Sequence, residues 1–212
     1  MSLDGRLVLV GGGLFAREVI CWIAQTRATV SLPARMGFID RAASILDSAR
    51  YGVEFFGVIE DFLPEAGDKF VMAISDPSIK RRIAELLRMR GASFVTIVHP
   101  TAVIASTAII EEGAVICPLA LVSADGYVDQ LVAINTMSSV GHDVHVGGYA
   151  TISAHVDLMG AAKIGECVFI GSGARVLPKV KVGPSAKIGA GAIIMRNVPE
   201  GVTMYAAPAR RL

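Results

Sequence analysis

The stretch "VIASTAIIEEGAVICPLALVSADGYV", Val103 to Val128, carries an aliphatic residue at every sixth position: Ile104, Ile110, Ile116, Val122 and Val128. A spacing of six matches neither the 3.6 residues of a helical turn nor the alternation of an isolated strand. The register extends from Val98 through Ile134, Val140, Val146, Ile152, Leu158, Ile164, Ile170, Val176, Val182 and Ile188 to Ile194, seventeen positions without a gap. Two residues before many of them stands a small residue, such as Ala102, Ala108, Ala114, Ala120, Ser138, Ala150, Ala174 or Ala186. Glycine follows the aliphatic residue at 141, 147, 165, 171, 183 and 189, where a tight corner is expected to demand positive φ. Short strands joined by corners, three to a coil, give an eighteen-residue turn in which residue i stacks on i+18. A solenoid of about five or six coils is expected.

Upstream the pattern is different. Strand-like runs ("RLVLVGG", "MGFID", "KFVMAIS", "SFVTIV") alternate with helix-like ones ("FAREVICWIAQT", "PSIKRRIAELLRMRG"), which argues for a small parallel α/β unit. The chain therefore divides into residues 1–94 and 95–212. "VLVGGGLFARE" holds Gly11-x-Gly13-x-x-Ala16 between a strand and a helix. This matches the dinucleotide fingerprint of a Rossmann-like unit, in which Gly11, Gly12 and Gly13 let a pyrophosphate approach the helix N-terminus. Read alone the motif suggests NAD, but about 95 residues are fewer than a full two-half dinucleotide fold requires. A nucleotide-diphosphate sugar presents the same pyrophosphate.

Hydrophobic residues make up 53% of the 212 and charged residues 18%, enough for a large core. No apolar run approaches the roughly 20 residues of a membrane span, and the N-terminus lacks the pattern of a signal peptide, so a cytoplasmic protein without membrane insertion is expected. Cys21, Cys117 and Cys167 are odd in number and widely spaced, as buried free thiols would be. A net charge of +1 gives no reason to expect nucleic acid. Residues 1–162 carry 12 Lys/Arg against 17 Asp/Glu, whereas residues 163–212 carry 8 against 2. That basic end suits a small anionic ligand.

Within the solenoid, "SSVGHDVHVGG", Ser138 to Gly148, sets His142, Asp143 and His145 among small and aliphatic residues. Val140 points inward and Gly141 turns the corner, so His142 and Asp143 open the next face and point away from the core. Together with His155 these histidines raise a zinc site as a rival, but offsets of 3, 10 and 13 do not match a coil of eighteen. Acyl transfer gives His142 a clearer role. A neutral imidazole takes the proton of an attacking amine or hydroxyl, and Asp143 can hold the ring in one tautomer. A solvated corner histidine beside a turn aspartate is the plainer alternative.

The run "INTMSSVGHDVHVGGYATISAHVDLMG" resembles the core motif of the sialic-acid O-acetyltransferase-like sugar acyltransferases, which include bacillosamine and perosamine N-acetyltransferases, and the likeness extends over the whole chain. The resemblance implies a left-handed parallel β-helix of hexapeptide repeats, a Rossmann-like nucleotide-sugar-binding domain, and a homotrimer. It implies acetyl-CoA as co-substrate, no metal, and N-acetylation of a nucleotide-linked amino sugar. On the family's motif His142 is the general base, Asp143 its acidic neighbour and Asn135 the asparagine. Asn135 alternatively is a left-handed corner residue. Gly160, one coil beyond His142, is the glycine whose amide binds the thioester carbonyl. Asp40, Arg41 and Ser75 are acceptor contacts by the same resemblance, or else surface turn residues. Thr151 stands where a relative has a histidine that contacts acetyl-CoA, and the tail reads "YAAPARR" where relatives usually have Gly before Pro-Ala. Lys179, Lys181, Lys187, Arg196, Arg210 and Arg211 are candidate partners for coenzyme A phosphates, Lys181 and Arg196 foremost. Sugar O-acetylation, a zinc γ-type carbonic anhydrase and a noncatalytic sugar-nucleotide-binding solenoid remain as alternatives.

Overall fold

The computed structural model describes residues 5–26 and 31–207. Its first part is a parallel sheet of four strands: β1 (Arg6–Val10), β2 (Arg35–Asp40), β3 (Glu54–Val58) and β4 (Lys69–Met72), in the order β3-β2-β1-β4. β1 reads as an unbroken apolar run because both of its faces are covered, and Leu7 to Val10 are fully buried. Helix α1 (Leu14–Thr26) buries Ala16, Val19, Ile20 and Ile23, a stripe at helical spacing. A short helix α2 (Ser48–Tyr51) precedes β3. Helix α3 (Pro77–Met89) begins where the Asp76 carboxylate accepts from the Ile79 N–H at 2.9 Å, with Pro77 in the first turn.

The sequence reading missed β3 and gave "SFVTIV" to one strand. β3 is a half-exposed edge whose register slips at Phe38/Ile39, and its run "EFFGV" is short. Phe94 only bridges to Phe70, while Ile97–Val98 already belongs to the first coil of the solenoid.

From Ile97 onward the chain winds through two-residue strands that stack as three parallel sheets of seven, six and five strands. Up to Ile194 each strand residue pairs with the one eighteen later, as Ile134 with Ile152, Val140 with Leu158 and Val146 with Ile164, and the last coil is shorter, pairing Ile188 with Met204. The aliphatic register lies inside one continuous core, with Ala114, Ala120, Ala150, Ala174 and Ala186 filling its corners at zero exposure.

The corners differ from expectation. Glycines 141, 147, 165, 171, 183 and 189 are not in the left-handed region. At Gly141 a Cβ would stand 2.7 Å from the Leu158 carbonyl oxygen and 3.1 Å from the Gly160 nitrogen, so its glycine answers to the coil above. The left-handed residue comes two positions later and is usually not glycine: Leu119, Asp125, Met137, Asp143, Tyr149, His155 and others have φ of 55–64°. Such backbone costs roughly 1–2 kcal/mol per residue. Cross-coil hydrogen bonds offset it, as when the Asp143 N–H donates to the Ala124 carbonyl at 3.1 Å and the Ala161 N–H to that of His142 at 2.8 Å.

The two parts share hydrophobic cores. Leu7, Leu9 and Ile23 pack with Ile97, Val115 and Cys117, while Ile83, Ala84 and Leu87 pack with Leu131, Tyr149 and Cys167. Polar contacts add to the joint: the Arg88 guanidinium donates to Gln130 Oε1 at 2.7 Å and pairs with Glu112. His99, buried in the first coil, reaches Gln25 Oε1 with Nε2 at 3.0 Å. Cys117 and Cys167 are buried thiols, but Cys21 lies on the exposed side of α1, against expectation. Among the described residues no helix is long and apolar enough to cross a membrane.

Candidate active site

Two features stand apart on the molecule: a cleft in the α/β part and a corner of the β-helix. The cleft measures about 510 Å³ and opens at the carboxyl ends of β1, β2 and β4, the place where an open α/β sheet of this order leaves a crevice. Gly11, Gly13, Asp40, Arg41 and Ser75 all line it. Gly12 sits behind them, its N–H donating to Asp40 Oδ2 at 2.7 Å while the Arg41 N–H donates to Oδ1 at 2.6 Å. Both Asp40 oxygens are thereby used to join the first turn to the second. Gly11 is left-handed, φ 100°. A side chain at Gly12 would strike the Phe38 ring, whereas one at Gly13 would meet nothing within 4 Å and enter open space.

Sequence reasoning did not find Arg82, Glu60, Asp76, Ile79 and Ile45 on the same cleft. Ile79, Arg82 and Ile83 form one face of α3, at spacings of three and four. The Asp76-Pro77 cap, legible in the sequence, fixes which face that is.

At the corner, His142 and Asp143 form the turn itself rather than opening the next face, with Asp143 left-handed at φ 58°. Both side chains are exposed, and the His142 Nδ1–H donates to Asp143 Oδ2 at 2.8 Å. The carboxylate accepts only, which puts the ring proton on Nδ1 and leaves Nε2 as the basic nitrogen. Gly160 lies against that nitrogen: a Cβ built on it would stand 2.4 Å from Nε2. Among the described residues the Gly160 N–H has no acceptor. A base and a free backbone donor thus share one corner.

Arg196 follows on the same corner two coils above Gly160, and is exposed. Lys181 flanks it, tied by its N–H to Asn197 Oδ1 at 2.9 Å. Lys179 and Lys187 are exposed on the same coils, and Arg210 and Arg211 lie outside the described residues. His145 points outward on the next face, its ring edge-on to Tyr127 at 5.0 Å. His155 sits at a different corner, and among the described residues no group of three or more His, Cys, Asp or Glu converges.

Two expected members stand elsewhere. Asn135 is at the corner that precedes the Ser139–Val140 strand, the far end of the edge that leads to His142. It is not left-handed, since Met137 holds that position, and its Oδ1 accepts from the Thr136 N–H at 2.7 Å. Thr151 is 5% exposed beneath α3. Its hydroxyl accepts from Lys80 Nζ at 2.8 Å and donates to the Ser75 carbonyl at 2.7 Å. A buried hydroxyl with both capacities filled cannot touch a coenzyme, so Thr151 is corrected from a contact to part of the joint.

Comparison with known proteins bears on this geometry. The family model described as bacterial transferase hexapeptide (six repeats) matches residues 161–196. A curated relative, UDP-N-acetylbacillosamine N-acetyltransferase of Bacillus subtilis (strain 168), is 36% identical over 47 residues, which span 22% of this chain and 22% of that protein. Among solved structures, the acetyltransferase domain of PglB from Neisseria gonorrhoeae FA1090, in complex with acetyl coenzyme A, is 28% identical at a TM-score of 0.84 and covers 98% of each chain. PerB from Caulobacter crescentus, in complex with CoA and GDP-perosamine, is 28% identical at a TM-score of 0.81, over 98% of this chain and 97% of that one. With an eighteen-residue coil repeated through three parallel sheets and a matching family model on its last coils, the chain is similar to the bacterial hexapeptide transferases over residues 161–196, and to these acetyltransferases in fold over nearly its whole length.

Proposed function

We propose that this protein is an acetyl-CoA-dependent N-acetyltransferase acting on the amino group of a nucleotide-linked sugar. The observation that carries the reading is the corner at His142. Asp143 holds Nδ1, Nε2 lies beside Gly160 as the basic nitrogen, and the Gly160 N–H has no acceptor among the described residues. In the reaction the amine nitrogen attacks the thioester carbonyl while His142 Nε2 takes its proton, and the Gly160 N–H donates to the oxygen that becomes negative. Collapse forms the amide and expels the thiolate of coenzyme A, to which the imidazolium returns the proton. The joining of relatives to acetyl coenzyme A and to GDP-perosamine supports both substrates.

In this reading the α/β unit, residues 1–94, is Rossmann-like and holds the nucleotide and pyrophosphate against Gly11, Gly13, Asp40, Arg41 and Ser75. Residues 95–212 form the catalytic left-handed β-helix, with Lys181 and Arg196 as candidate contacts to coenzyme A phosphates. A cytoplasmic location follows as the compartment of both substrates. The protein works as a homotrimer. α3 and its cleft sit over the corner of Gln130 and Glu166, not that of His142, so the acceptor amine reaches the base of a neighbouring subunit. Val103, Leu119, Leu121 and Met137 support this as a contiguous exposed apolar surface on one face and its corner. Asn135 stands at that corner, where it enters a neighbour's site.

The test is thiol release from acetyl-CoA with a panel of UDP- and GDP-linked amino sugars, run alongside sedimentation. Turnover with at least one amino sugar by a trimer is expected. No turnover with any of them, or a stable and fully active monomer, overturns the corresponding part.

A further inference from the structure

The wall of the cleft formed by Ser75 and Asp76 is held from behind by side chains of the joint. On α3, Ile79, Arg82 and Ile83 look into the cleft, while Lys80, Ala84 and Leu87 are buried toward the β-helix. Lys80, 1% exposed, donates from Nζ to the Ala150 carbonyl at 3.2 Å and to Thr151 Oγ1 at 2.8 Å. The Thr151 hydroxyl in turn donates a hydrogen bond to the Ser75 carbonyl at 2.7 Å. Ser75 is thus fixed at the strand-to-helix turn by a residue 76 positions away. Two acceptors suit the two N–H bonds of a neutral amine, and burial lowers the Lys80 pKa to about 7.

We infer that Lys80 and Thr151 are positioning residues for the acceptor: their hydrogen-bonded chain sets the Ser75 peptide, and with it the edge of the cleft that receives the nucleotide. The inference rests on the reading of that cleft as the nucleotide-sugar site, and it concerns residues that touch neither substrate. Valine has nearly the shape of threonine but can neither accept from Lys80 nor donate to Ser75, so Thr151→Val releases the Ser75 carbonyl without emptying the joint. Thr151→Ser restores both capacities.

Hydrogen exchange over residues 73–79 and calorimetric titrations with UDP, GDP and acetyl-CoA test it on the full chain. Thr151→Val is expected to speed exchange in that segment alone and to weaken whichever of UDP or GDP the protein binds by roughly fivefold to tenfold. Acetyl-CoA affinity stays within about twofold, Thr151→Ser recovers the wild-type values, and Lys80→Met repeats the valine effect. Unchanged exchange and unchanged nucleotide affinity in Thr151→Val overturn the inference, as do equal losses for both ligands with exchange raised throughout the chain. If the wild-type protein binds neither UDP nor GDP, the reading of the cleft fails; exchange at 73–79 then decides the positioning by itself, being raised in valine and restored in serine, or not.

Discussion

His142 owes its position to its neighbours on the corner, and each neighbour predicts a different kinetic result. His142→Ala removes the base and is expected to lower turnover by a factor on the order of 10² to 10⁴ while both substrates still bind, measured by steady-state kinetics and calorimetry. Asp143→Asn costs less, since the imidazole stays but loses its fixed tautomer. His145→Asn, on the next face against Tyr127, leaves turnover nearly unchanged, and serves as the control. Gly160→Ala is the sharper probe: the added methyl enters the space within 2.4 Å of Nε2, so the ring must swing away from Asp143. Turnover is expected to fall about as far as in His142→Ala, with the thermal midpoint hardly moved. A fully active Gly160→Ala would show that the ring is not used in this orientation.

The corners and turns separate what the sequence makes legible from what it hides. The interval of six is local and repeated, so the seventeen inward aliphatic residues identify the coil unaided. That the His-Asp pair points away from the core is legible for the same reason, but its place in the turn itself, with Asp143 left-handed, is not. The left-handed positions are hidden, since leucine, methionine, tyrosine and cysteine occupy them and the bonds that hold them come from a coil away. Hidden too is the Lys80–Thr151 contact, whose partners stand 71 residues apart. Glycine has two distinct roles here, and paired substitutions tell them apart by thermal denaturation. Gly171→Ala sets a methyl 2.6 Å from the Ala190 backbone nitrogen and is expected to destabilise by about 1–3 kcal/mol. Ser185→Gly, at an exposed residue with φ 56°, is expected to stabilise by up to roughly 1 kcal/mol. In the α/β part, Gly13→Val fills the open mouth of the cleft and is expected to weaken nucleotide-sugar binding while acetyl-CoA binding is retained, by calorimetry.

The joint between the α/β unit and the β-helix gives the whole molecule a pH dependence. Burial lowers Lys80 from 10.5 to about 7, against the pull of Cys167 from the β-helix and Asp76 from its own helix. The unfolded chain therefore holds a proton that the folded one has released, and stability rises with pH across that window. Burial likewise lowers His99 below its ordinary 6.5, so its contribution is complete above that value and is lost as pH falls through it. Urea denaturation is expected to show unfolding free energy climbing from about pH 7 to about 9, with the slope reduced in Lys80→Met. A flat profile in the wild type would mean that Lys80 keeps its proton inside the joint. The corner that runs from His142 through Gly160 to Arg196 has a different consequence, because its length is counted in coils. Each coil adds one strand spacing, roughly 4.8 Å, so Arg196 stands about 14 Å beyond the base. Removing residues 161–178 would keep every remaining residue in phase and shorten that interval by a single graduation. On the proposed placement of coenzyme A along this corner, the β-helix is a ruler laid beside its ligand, graduated in whole turns.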